Sequence, residues 1–198
     1  MENKIILVGG GGHCKVVMDA IESSGEFNIY GITDPSLPMG TSVLNRKVLG
    51  GDDILPELFR KGIKHAFIGV GSIGNCDIRK KIYNNLKDIG FRLPSIIHPK
   101  AIVSKHVEIG EGSFIAAGAV INAGTKIGKN AIINTSSSID HDCEIGDFVH
   151  VAPGAILSGG VKVGGNTHIG VGAKVIQYLA IKENSFIKAG ALITENIL

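Results

Sequence analysis

Tryptophan is absent, tyrosine occurs three times, and aromatic residues make up only 5% of the chain. A core of this composition has to be built from aliphatic side chains. No stretch approaches the roughly 18 uninterrupted apolar residues of a membrane span, so no membrane-crossing helix is expected. The net charge is only +2 and the basic residues are scattered. Without a Lys/Arg run interleaved with aromatics, no footprint for nucleic acid is offered. The three cysteines, Cys14, Cys76 and Cys143, are odd in number and match no zinc or redox spacing. They read as reduced thiols in the cytoplasm, with no metal site. The opening MENKIILVGG lacks a basic region followed by a long apolar stretch, so it does not read as a signal peptide.

What the chain has in quantity is glycine, 28 of 198 residues, set in two different rhythms. The first half alternates strand and helix patterns. Lys4–Val8 is a short apolar run ending in four glycines and reads as a buried parallel strand. A helix is expected over His13–Ser24, stopping near Gly25, and a second strand over Asn28–Thr33. Asp52–Lys61 reads as helix, Ala66–Val70 as a third strand and Asp77–Ile89 as an amphipathic helix closed by Gly90. This alternation predicts a small parallel Rossmann-like α/β domain over residues 1–94.

From Ile97 onward every sixth residue is Ile, Val or Leu, through Val103, Ile109, Ile115 and so on to Ile193, seventeen positions without a miss. The residue after each is often Gly or Ala, and small or β-branched types dominate four places after each. A six-residue period fits neither a helix nor a flat strand. It fits a left-handed parallel β-helix over residues 95–198, each hexad forming one side of a triangular prism and three hexads one coil. The aliphatic residue points inward and the small residues fill the corners. A pure scaffold, such as an ice-binding surface, would show a regular exposed Thr ladder, and none is present.

His141 lies two places after the core residue Ile139 and should project from the prism wall between Asp140 and Asp142. An imidazole oriented by a carboxylate is what a general base needs. One coil further on stands Gly159, where a backbone N–H could face a developing oxyanion. In the first half, Gly10, Gly11 and Gly12 follow a strand and precede a helix, a setting that can hold a phosphate. The spacing is not that of a dinucleotide fingerprint, because Cys14 stands where the third glycine would be.

Four stretches together resemble one family: LVGGGGHCKVVMDAI, RKKIYNNL, IIHPKAIVS and, most specifically, NTSSSIDHDCEIGDFVHVAPGAILSGGVKVG. The chain is similar to the sugar O-/N-acyltransferases of the hexapeptide-repeat superfamily. That family includes UDP-4-amino-sugar and perosamine N-acetyltransferases and sialic acid O-acetyltransferases. The resemblance implies a cytoplasmic homotrimer that takes acetyl-CoA and a nucleotide sugar or sialic acid, with neither nucleic acid nor membrane as partner. It implies His141 as base with Asp142 beside it, and His150 and Gly159 near the thioester. The pantetheine arm would pass Gly170, Gly172, Ala173, Ala189 and Gly190. Nucleotide-sugar contacts would come from Gly10, Gly11, Gly12, His13, Asp34, Gly71, Ser72 and Asn134. The run GVGSIGNCDIR is longer than the family's usual loop, and family members usually continue past the equivalent of Leu198 into a segment carrying G-V-P-A. N-acetylation of a nucleotide-linked 4-amino sugar is the first expectation, O-acetylation of sialic acid the second, and a non-catalytic trimeric nucleotide-sugar-binding protein the third.

Overall fold

The computed structural model describes residues 3–198, which fall into two compact units. One holds the chain up to Gly71 together with Asp77–Pro94, and the other holds Ser72–Cys76 together with Ser95–Leu198.

In the first unit β1 (Lys4–Val8) is buried from Ile5 onward, as a parallel strand covered on both faces must be. α1 (Gly12–Ser24) follows and ends at Gly25, whose φ of 67° lets its N–H return to the Ile21 carbonyl. Next come β2 (Asn28–Thr33), β3 (Ser42–Val43) and β4 (Arg46–Gly50). After these the chain forms α2 (Leu55–Arg60), β5 (His65–Ile68) and α3 (Asp77–Ile89). The sheet order is β3-β4-β2-β1-β5, parallel except for the β3–β4 hairpin. Three sequence expectations need adjustment. The helix expected from Asp52 begins as a 3-10 turn, Asp52–Ile54, and becomes α-helical only at Leu55, with Pro56 fitting its first turn. The third strand is His65–Ile68 rather than Ala66–Val70. The β3–β4 hairpin was not anticipated, because Leu44 and Asn45 both take positive φ (42° and 66°) without the Asn-Gly signature of such turns. Arg79 of α3 is 1% exposed, and its Nη1 donates to the carbonyls of Ile68 and Val70, tying the helix to the end of β5.

The second unit carries seventeen two-residue strands among the described residues, β6 (Ile96–Ile97) to β22 (Leu192–Ile193), each ending on an aliphatic residue of the hexad series. They pair in parallel with the strand 18 residues on, as in Ser138↔Ile156 and Ile139↔Leu157. Three sheets result, wrapped around one core as a left-handed parallel β-helix. The first wall runs from Ile96–Ile97 to Phe186–Ile187, the second from Ile102–Val103 to Leu192–Ile193, and the third from Glu108–Ile109 to Ala180–Ile181. Ile121, Ile133, Ile139, Val151, Leu157, Ile169 and their equivalents form the core. The residues four places later fill the interior corners: Ala119, Ala131, Cys143, Ala155 and Ala173 are all fully buried. The hydroxyls among them donate to carbonyls, as in Thr125 Oγ1 to Asp140 O at 2.8 Å.

From Ile109 to Ile187 the tight bend lies at the third residue after the aliphatic, where Gly118, Gly124, Asn130, Ser136, Asp142, Gly160 and Tyr178 among others take left-handed φ. The small residue directly after the aliphatic has a different job. At Gly146 an added Cβ would meet the backbone of the next coil at 2.6 Å.

Candidate functional site

His141 stands on the edge between the second and third walls, two places after Ile139, with its side chain 52% exposed. Its turn is held from several directions. Asp140 Oδ1 accepts from the His141 N–H (2.8 Å) and from Asn122 Nδ2 (2.8 Å). The Asn122 bond is also what holds the Asp140 carboxyl below its ordinary pKa. Thr125 Oγ1 donates to the Asp140 carbonyl and accepts from the Cys143 N–H (3.1 Å). Coil-to-coil bonds complete the frame, Asp142 N–H to Ala123 O (3.1 Å) and Gly160 N–H to His141 O (2.9 Å).

Asp142 occupies the left-handed bend at φ 58°, which a short polar side chain tolerates. That bend turns its Oδ2 to 2.8 Å from His141 Nδ1. A carboxylate can only accept, so Nδ1 carries the proton and Nε2 keeps a lone pair. The Asp142 hydrogen bond is the main cause that raises the His141 pKa above its ordinary value. Two glycines make room for the pair. Gly124 lies one coil before Asp142 under the carboxylate, and Gly159 lies one coil after His141 under the imidazole. A Cβ at Gly159 would stand 2.6 Å from both Nε2 and Cε1 of His141. Among the described residues, no carbonyl accepts from the Gly159 N–H.

The residues expected along acetyl-CoA gather on the neighbouring edge, between the first and second walls. Gly172 and Gly190 are left-handed bends there and Ala189 is exposed. Two others do not reach the surface. Ala173 occupies the interior corner and is fully buried, and Gly170 is covered by the backbone of the Lys188–Ala189 coil. Gly172, Ala189 and Gly190 are the members of that set that stand at the edge. The two edges are separated by the whole second wall, six residues of chain and at most about 20 Å.

His150 projects from the first wall and is 7% exposed. Its Nδ1 donates to the Ser72 carbonyl, and its Nε2 accepts from Asn134 Nδ2 at 3.1 Å. Both ring nitrogens are engaged, which leaves His150 a holding residue in this state. Ser72, expected at the nucleotide sugar, is instead 7% exposed and packed with His150. His168 pairs with His150 in register, with ring centroids 4.8 Å apart, and stacks on Phe186 at 5.1 Å. Burial pushes the His168 pKa down. Sequence reasoning missed the Asn134–His150 contact and the supporting Asn122, Gly124 and Thr125. The 18-residue offset would have found Gly124, since it stands one coil before Asp142.

In the first unit Gly10 is buried, and its N–H donates to Asp34 Oδ2 at 2.7 Å. Asp34 Oδ1 accepts from the Ser36 N–H at 2.7 Å. The Gly10 N–H is therefore taken, and both Asp34 oxygens face backbone. Gly11 and Gly12 are exposed at the start of α1, with His13 half-buried beside Gly71. A cavity of about 810 Å3 opens next to this loop, lined among others by Gly9, Asp34, Asp52, Asp53, Lys81 and Asn85. It lies by the carboxyl ends of β1 and β2, where open α/β sheets bind ligands.

All three cysteines are free and buried. Burial pushes the Cys14 thiol up to about 12 and raises that of Cys143 as well. Neither is a thiolate nucleophile at neutral pH. Among the described residues, no group of three or more His, Cys, Asp or Glu side chains is placed to hold a metal ion. None of the described helices is long and apolar enough to cross a membrane.

Comparison with known proteins places these features in context. Residues 4–86 match the family model described as the PglD N-terminal domain, and residues 124–159 match that of the bacterial transferase hexapeptide repeat. A crystal structure of perosamine N-acetyltransferase from Caulobacter crescentus, a histidine-to-asparagine variant in complex with CoA and GDP-perosamine, superposes with a TM-score of 0.93. It is 37% identical over 98% of this chain and 90% of that one. The acetyltransferase domain of PglB from Neisseria gonorrhoeae, in complex with acetyl coenzyme A, gives a TM-score of 0.87 at 34% identity, over 100% and 93% of the two chains. GDP-perosamine N-acetyltransferase of Escherichia coli O157:H7 is 34% identical over 126 residues, 64% of this chain and about half (49%) of that relative.

Proposed function

Because this chain belongs to the hexapeptide-repeat family of sugar acyltransferases with a PglD-type N-terminal domain, we propose that it transfers acetyl from acetyl-CoA to the amino group of a nucleotide-linked 4-amino sugar. The observation that carries this reading is the His141–Asp142 pair seated over Gly159. An amine attacking a thioester must lose a proton. His141 Nε2 takes it while Asp142 holds the Nδ1–H and favours the imidazolium that forms. The Gly159 N–H is the donor for the oxyanion of the tetrahedral intermediate. Collapse of that intermediate expels the CoA thiolate, which recovers the proton from His141. Transfer is direct, because the only thiol close by, Cys143, is buried with its pKa raised.

The first unit holds the nucleotide sugar, with Gly11, Gly12 and His13 toward the phosphates, Asp34 shaping the loop and the adjoining cavity taking the base. In the second unit Gly172, Ala189, Gly190 and His150 serve acetyl-CoA, and Asn134, which holds His150, contacts the nucleotide sugar. The nucleotide-binding domain is assigned to residues 1–94 and the transferase domain to 95–198, and the chain works in the cytoplasm without a metal. The assembly is a homotrimer. Ile102, Ile156 and Leu192 stand exposed on the second wall at 67%, 42% and 63%, separate apolar spots with Ser138 and Lys174 between them that neighbouring prisms would cover. Packing copies side by side would also bring the His141 edge of one to the acetyl-CoA edge of the next, which a single prism holds apart.

Thiol release from acetyl-CoA tests the reading. Release that requires a nucleotide-linked 4-amino sugar is the expected result. Release only with free or CMP-linked sialic acid would replace it by O-acetylation, and nucleotide binding without release under any condition would leave a non-catalytic sugar-nucleotide-binding protein.

A further inference from the structure

One aromatic side chain stands on the His141 edge outside the core of the prism. Tyr178 occupies the bend one coil after Gly160, at φ 60°, and is 75% exposed. A bulky residue is strained in that conformation. The other left-handed bends of the prism carry Gly, Asn, Ser or Asp, apart from Phe148, which is half-buried. Tyr178 thus forgoes both a relaxed backbone and the burial that an aromatic ring ordinarily gains. Strain of this kind persists where the surroundings fix it, and it gathers at functional sites.

The surroundings here are specific. The Tyr178 N–H donates to the Gly159 carbonyl at 2.9 Å, which locks the bend onto the Ser158–Gly159–Gly160 segment. The ring leans back over Gly160, where an added Cβ would meet its Cδ1 at 2.5 Å and its Cε1 at 2.8 Å. His141 leans the opposite way and rests on Gly159. One ring from the coil before and one from the coil after therefore share a floor of two consecutive glycines, with Cα atoms about 3.8 Å apart. The Gly159 N–H, from which no described carbonyl accepts, belongs to that floor. A thioester whose oxygen takes this N–H turns its carbonyl carbon to the amine at His141. The imidazole and the acceptor fill the His141 side, so the sulfur and the methylene groups after it leave on the Tyr178 side. Gly172, Ala189 and Gly190, given to acetyl-CoA above, also stand on coils beyond His141, the direction in which Tyr178 lies. Sulfur and methylene groups are what an open aromatic ring holds well.

We propose that Tyr178 contacts acetyl-CoA beside the thioester, packing its ring against the sulfur and the adjoining methylene groups. It is a donor-binding residue and takes no part in proton transfer. The proposal rests on acetyl transfer with His141 as base and deepens that reading on the donor side.

Steady-state KM for each substrate, measured beside thermal unfolding of the full chain, tests it. Asparagine suits a left-handed bend better than tyrosine, so Tyr178→Asn should melt at or above the temperature of the parent. Its KM for acetyl-CoA should rise about five- to tenfold, the usual loss on truncating an aromatic contact, while KM for the amino sugar changes less than about twofold. Tyr178→Phe keeps the ring and should recover the affinity that Tyr178→Asn loses. A further variant reads binding without turnover. Tyr178→Trp gives the chain its only tryptophan, whose emission should move to shorter wavelength with acetyl-CoA and stay in place with the nucleotide sugar alone. A parent-like KM for acetyl-CoA in Tyr178→Asn, or an emission that acetyl-CoA leaves unmoved, would overturn the donor contact. So would a rise confined to the KM of the amino sugar, which would put the ring against the acceptor. Each of these results leaves acetyl transfer standing, because the parent still releases thiol. A parent that releases none with any amino sugar would overturn that reading and the proposal with it.

Discussion

The imidazole of His141 rests on the Cα of Gly159, one coil further along the prism, with no space for even a methyl group between them. Gly159 is not in a left-handed conformation, so its lack of a side chain serves the ring above it rather than the bend. Gly159→Ala should leave the fold and its melting temperature nearly unchanged, because alanine suits that backbone. The ring would be pushed off its seat, and misplacement of about 1 Å costs on the order of 100-fold in rate. Steady-state kcat with unaltered thermal unfolding is the measurement. Retained kcat would mean that the seat does not position the base.

The pH profile follows from the Asp142 contact. The imidazole must be neutral to accept a proton, and its pKa is raised first by the hydrogen bond to Asp142. kcat/KM should therefore climb with pH through a value above the usual ~6.5 for histidine and then level off. Asp142→Asn removes the charge and leaves only a neutral amide oxygen to accept from Nδ1–H. The rise should move to lower pH and the plateau should fall. An unmoved or upward-shifted rise would contradict the assigned role of Asp142.

Cys143 lies directly beneath the site, its Sγ contacting the Ser158 carbonyl at 3.3 Å from a fully buried position. Cys143→Ala should keep activity within about tenfold, and intact-mass measurement after mixing with acetyl-CoA should find no acetyl adduct. An adduct on Cys143 would replace direct transfer with a two-step route.

His150 joins Ser72 and Asn134 through its two ring nitrogens. His150→Ala leaves the buried Ser72 carbonyl without its donor, a loss of about 1–3 kcal/mol. The expected outcome is a lower melting temperature and faster amide exchange over 72–76. Because His150 is assigned to acetyl-CoA, the KM for acetyl-CoA should rise more than kcat falls. Unchanged exchange with unchanged KM would remove both roles.

The prism was legible because its signal is redundant. One misread hexad among seventeen could not have hidden a core that repeats its aliphatic residue at every side. The offset of 18 residues followed from the same count and put Gly159 under His141 before any coordinates. The bends were not legible, since left-handed φ falls on Asn130, Ser136, Asp142 and Tyr178 as well as on glycines, and the small residues one place after the aliphatic drew attention instead. The β3–β4 hairpin was silent for a related reason, as Leu44 and Asn45 carry no turn signature. The Ser72–His150 hydrogen bond spans 78 residues with no local pattern to announce it. Gly10 looked like a phosphate donor because the loop is glycine-rich, and only the placement of Asp34 reveals that its N–H is already used.

Single-turnover transfer by His141→Asn tests the central assignment most directly, with acetyl-CoA and nucleotide-sugar binding followed in the same preparation. The side chain is half exposed, so the variant should fold and bind both substrates as the parent does. The rate of acetyl transfer should drop by about 100- to 10,000-fold, the usual share of a general base. Transfer at the parent rate with both substrates bound would contradict the account.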